Sequence, residues 1–224
     1  MYNLITTNMK NLLIIVALLF STNLLFAQSE KYRQAMSTSI EAFNSAMNKE
    51  PDPTELTEIT NRFERIASAE PKEWLPRYYA AYLYSIMAFD GKNATQKGEL
   101  CDEADALLKE AVALTGENSE LMVVDAQIKQ ARMLIDPVAG WQTYGPMFEA
   151  SLAKAEALNK DNPRTYVVRG TSLLYTPEQF GGGKKVAKPV LEKALEKFAN
   201  FKADSVLHPG WGKSQATWML SQCD

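Results

Sequence analysis

Three consecutive glycines, Gly181, Gly182 and Gly183, stand directly ahead of Lys184 and Lys185. Successive glycine amides at a helix start can converge on an anion, and the helix dipole and Lys184 would add to the attraction. The competing reading is conformational and is preferred: glycines permit positive φ and close packing in a tight turn. Gly212-Lys213-Ser214 has the ending of a phosphate-binding loop. Such a loop needs a glycine five positions before Gly212, where Leu207 stands, so the match is a coincidence. His208 is the single histidine and has no second ligand at metal spacing, so no metal site is expected. Nucleophile signatures are absent, and neither Cys101 nor Cys223 has a histidine nearby in sequence. No cofactor and no catalytic residue follow from these patterns, and the reading is of a non-enzymatic protein.

The elements that carry these residues are helical throughout. Tyr32, Met36, Ile40, Phe43 and Met47 recur at three- and four-residue spacing, as an amphipathic helix requires. Pro51 and Pro53 end that segment, and Thr54 is read as the cap of a second helix carrying Leu56, Ile59, Phe63 and Ile66. A very aromatic helix runs from Glu73 to Phe89, and Asp90-Gly91 stops it. Further helices are read over 99–114, 119–135, 146–158, 164–175, 184–201 and 211–222. No segment has a period of two, so no sheet is predicted.

A repeat underlies the series. Ala81, Ala126, Gly170 and Ala216 each fall in the middle of every second helix, separated by 45, 44 and 46 residues. A fixed period of this size marks a stack of helix hairpins. A tiny side chain lets neighbouring backbones approach near the lower end of the usual ~8–10 Å axis separation. The expected fold is all-α, a right-handed stack of antiparallel hairpins with about nine helices, in one domain over 28–224.

Residues 1–27 have a different character. Lys10 precedes an uncharged apolar run over 12–20, and Ala27 precedes polar residues, the pattern of a signal peptide cleaved near Ala27. A membrane anchor is the alternative, but the run is short of the ~20 residues that span a bilayer. A periplasmic or secreted location is expected. Lys10 is the sole charge in that segment, so its removal takes the net charge from -3 to -4. With 23% charged residues interspersed in sign and no basic stripe, nucleic acid is not an expected partner. Cys101 and Cys223 are read as separate thiols, with a disulfide as the alternative.

The small residue in alternate helices and the prolines near the turns, as in Glu70-Pro71 and Asn162-Pro163-Arg164, resemble the tetratricopeptide-repeat superfamily over roughly residues 55–224. The stretch from Tyr175-Thr176-Pro177 through Phe180 to Gly183, with His208-Pro209-Gly210-Trp211-Gly212 beyond it, is similar to small exported bacterial proteins with such repeats. The envelope repeat components of tripartite uptake systems have a comparable Gly-rich junction. The period departs from that superfamily's usual ~34 residues.

In such a stack the first helix of each pair lines the inner side. Tyr78, Tyr82, Ser85, Gln127, Gln130, Thr171, Lys213 and Thr217 are then candidate groove residues for an extended peptide or a helix. For Tyr78 and Tyr82 the reading stays open between groove and core, because a loop or terminal segment could fill the inner side. For Gln127 and Gln130 a groove is preferred, since burying unpartnered amides is costly. The functional expectation is an adaptor or scaffold that binds an envelope protein or peptide. The alternative is a small-molecule-binding accessory of an uptake system, with an apolar pocket near Tyr78 and Tyr82.

Overall fold

A computed structural model describes residues 30–50 and 52–223, and the segment read as a signal peptide lies outside these residues. Helix α1 covers 30–47. It is followed by α2 (Pro53–Ala69), α3 (Leu75–Phe89), α4 (Ala94–Thr115), α5 (Ser119–Met133), α6 (Pro137–Leu158), α7 (Pro163–Tyr175), α8 (Lys184–Asn200) and α9 (Lys213–Ser221). No strand occurs among the described residues, so the fold is all-α.

Asx residues set the helix starts. Asp52, Asn93, Asn118, Asp136 and Asn162 each accept one or two hydrogen bonds from amides of the helix they precede. These bonds satisfy donors that an α-helix leaves unpaired in its first turn. The cap of α2 is therefore Asp52, which accepts from the Thr54 and Glu55 amides at 2.7 and 3.1 Å, and not Thr54 as the sequence reading had it. Helix α6 begins at Pro137, behind Asp136, and runs through Pro146. Reading Pro146 as the helix start removed nine residues, two of which prove important below.

The helices pack as hairpins: α3 with α4, α5 with α6, and α7 with α8. The first members of these pairs also touch in series, α3 against α5, α5 against α7, and α7 against α9. Ala81, Ala126 and Ala216 are fully buried in that row. Gly170 shows why the position is small: a Cβ there would come within 2.6 Å of Leu191 Cδ2 on α8. Helix α3 lies at the centre of the core and is buried on nearly all sides. The Tyr79 ring stacks on Phe63 at 4.8 Å and meets the Phe43 ring edge-on at 5.4 Å. Both cysteines are free, and burial pushes the Cys101 thiol up to about 11.

Gly170→Val is expected to lower the unfolding free energy by about 1–3 kcal/mol through overpacking against Leu191. Adding Leu191→Ala should recover part of the loss in urea denaturation. An unchanged midpoint for the single variant would contradict close approach at Gly170.

Candidate functional site

The inner side of the helix row is filled by the chain itself. Between α8 and α9, residues 201–212 form an irregular strap that crosses the row and buries Leu207 and Trp211. The Trp211 ring packs on Tyr82 at 4.4 Å, and its Nε1–H donates to the Tyr78 hydroxyl at 2.8 Å. The Tyr79 hydroxyl donates to the Leu207 carbonyl at 3.1 Å. Under the strap lies a buried ion pair. Arg164 Nε donates to Glu120 Oε2 at 2.7 Å, and Arg164 Nη2 donates to Glu120 Oε1. The guanidinium sits 4.4 Å from the Phe201 ring centroid, so the strap's first residue caps the charge.

The candidate residues are dispersed by this arrangement. Tyr78, Tyr82 and Ser85 are fully buried, and the Ser85 hydroxyl donates to the Tyr82 carbonyl. Gln127 is also buried, bonded to the Tyr82 phenol. Thr171 donates to the Val167 carbonyl, and Thr217 to that of Lys213. Lys213 is exposed at the start of α9. The three glycine amides are engaged inside their own turn: Gly181 donates to Glu178, Gly182 to Pro177 and Gly183 to Leu173. This agrees with the conformational reading of the glycines: Gly181 and Gly183 adopt φ of 84° and 95°, and Gly182 lies against the Thr176 carbonyl, where a Cβ would overlap. The glycines shape the turn and leave no amide for an anion.

That turn forms one wall of a surface groove of about 590 Å³. Ser172, Tyr175, Thr176, Pro177 and Phe180 line this wall; Gln130, Met133, Leu134, Pro137, Val138, Trp141 and Gln142 line the other. The apolar side chains here are open to solvent: Val138 is 76% exposed, Phe180 67%, Tyr175 64% and Trp141 47%. Scattered exposed apolar residues are ordinary, but a contiguous set around one concavity marks a binding surface. Gly140 holds the second wall in place. A Cβ at Gly140 would come 2.7 Å from the Met133 carbonyl oxygen, so only glycine lets α6 start this close to the end of α5. Of the candidate residues, Gln130 alone reaches the groove. Tyr175 and Phe180 lay inside a motif noticed in the sequence, whereas Val138 and Trp141 were lost with the misread start of α6.

A second cleft, of about 480 Å³, lies beside the strap and is lined by Trp74, Glu120, Asp204 and His208 among others. It is polar, and His208 within it is held by a local bond of 2.8 Å between Ser205 Oγ and His208 Nδ1.

The fold and groove define an all-helical hairpin protein with an open apolar surface site. No family model matches the sequence, tetratricopeptide or other, and no curated protein matches it. Among solved structures, the HusA haemophore from Porphyromonas gingivalis is similar at 37% identity with a TM-score of 0.75, over 86% of this chain and 92% of that one. The chain belongs to the HusA haemophore family.

Two outcomes follow from the strap and the tyrosines. Glu120→Gln leaves Arg164 buried without its counter-charge and should cost about 3–5 kcal/mol of stability, read by thermal or urea unfolding. Burial pushes the phenols of Tyr78, Tyr79 and Tyr82 up, so they stay neutral in the folded protein where an unfolded phenol ionises. Stability is then full below about pH 10 and declines as pH rises beyond it. A urea midpoint unchanged between pH 8 and pH 11 would contradict this.

Proposed function

We propose that this protein is an exported, non-enzymatic binding protein that carries a flat apolar macrocycle of the haem type in the groove between Trp141 and Phe180. The observation that carries the reading is the exposure of Leu134, Val138, Trp141, Tyr175 and Phe180 around one concavity. Apolar groups of this number are unfavourable in water and are covered when a planar ligand lies against them. At ~25 cal/mol per Å², covering about 200 Å² of protein would contribute roughly 5 kcal/mol before binding costs. Membership of a family that includes a haemophore supports the small-molecule reading over the adaptor reading. No helix among the described residues is long and apolar enough to cross a membrane.

Titration with iron protoporphyrin IX, followed by absorbance and tryptophan quenching, tests the proposal. Wild-type protein is expected to bind at one site per chain. Trp141→Ala and Phe180→Ala should each weaken binding about five- to thirtyfold, as losses of aromatic contact usually do, with unfolding midpoints unchanged because both side chains are exposed. Undiminished affinity in both variants would place the ligand elsewhere and defeat the proposal.

A further inference from the structure

The groove lining contains no charged side chain. Its side-chain polar groups are the amides of Gln130 and Gln142, the hydroxyls of Ser172, Tyr175 and Thr176 and the indole N–H of Trp141. A ligand of the class proposed above carries two carboxylates on one edge of an apolar ring. Placing a carboxylate among neutral groups away from water is costly, so that edge must lie at a rim with cations.

The cations of the elements that build the groove divide into two groups. Lys129 is paired with Asp105 and Asp125, and Arg132 with Asp102 and Asp105. Arg169 is paired with Glu156. Lys188 is engaged as well. Lys184 and Lys185, the first two residues of α8, are exposed and have no ion-pair partner among the described residues. Their position relative to the groove is fixed by the glycine turn. Gly183 N–H donates to the Leu173 carbonyl at 2.8 Å, which bolts the start of α8 beside Ser172, a lining residue. Phe180, at the mouth of the groove, is four residues before Lys184. Helix α8 has no side-chain cap, so its N-terminal dipole adds to the positive charge of the two lysines.

We infer that Lys184 and Lys185 form the carboxylate-recognising rim of the groove, orienting a dicarboxylate macrocycle with its acidic edge toward the start of α8. The inference rests on the groove reading proposed above. Two carboxylates lie on the segments that build the groove. Asp136 is committed to capping α6 through the Val138 and Ala139 amides. Glu178 lies over the turn, and a Cβ at Gly183 would come 2.6 Å from its Cγ. Glu178 is therefore the local competitor for the lysines, and its removal should favour the ligand's carboxylates.

The test uses the full chain with metal-free protoporphyrin IX and its dimethyl ester, at low and high salt. Lys184→Gln/Lys185→Gln should weaken binding of the diacid about three- to tenfold at low salt and leave the diester unchanged, the size expected of two exposed ion pairs. Glu178→Gln should tighten the diacid and not the diester. Equal effects on both probes, or none on either, would overturn the inference. If wild-type protein binds neither probe, the groove reading itself fails. All three side chains are exposed, so circular dichroism of the variants should match the wild type.

Discussion

The rest of the structure depends on the packing of Trp211 against Tyr82 and Tyr78. A row of hairpins has an inner side, and an apolar inner side must be covered by something. Here the covering is the chain's own strap, held by one indole hydrogen bond, one tyrosine hydrogen bond and the Arg164 guanidinium under Phe201. The aromatic residues of α3 thus become core and stop being surface. Arg164 is fully buried in consequence, and the largely covered Glu120 must satisfy its charge. With the inner side closed, five exposed large apolar side chains gather around one groove at the turns that end α5 and α7.

Glycines act at that second location by excluding side chains. Gly140 sets α6 down on the last turn of α5, and Gly182 folds the 175–183 turn onto Thr176. Each fixes one wall of the groove from behind, while the residues facing the groove stay largely exposed. The division separates folding from binding. Side chains such as Val138 and Phe180 contribute little to the core, so their apolar surface is free to meet a ligand.

The periodic part of this arrangement was legible in the sequence. Small residues at near-constant spacing report on backbone contact, a constraint that no other side chain satisfies, and Ala81, Ala126, Gly170 and Ala216 do stand in one buried row. The strap was not legible in its placement. Phe201 and Trp211 were read as the ends of helices that in fact stop at Asn200 and begin at Lys213, and nothing local says which apolar surface they and Leu207 will cover. Pro146 misled for a definite reason: an interior proline costs a helix one hydrogen bond, and Asp136-Pro137 offered an equally good start nine residues earlier. The Gly-rich run was read chiefly as a tight turn, and its importance lies in where that turn puts Phe180. Gln130 was selected by its register, four residues after Ala126, and it borders the groove at the ends of α5 and α7.

The central claim is that ligand binds at the α5–α6 and α7–α8 turns and leaves the strap closed. Backbone and indole chemical-shift mapping with protoporphyrin IX separates the two locations in one experiment. The account predicts perturbation of residues 130–142 and 172–185 and of the Trp141 indole, with the Trp211 indole unmoved. Large shifts at the Trp211 indole and along 74–85, with the Trp141 indole silent, would contradict it.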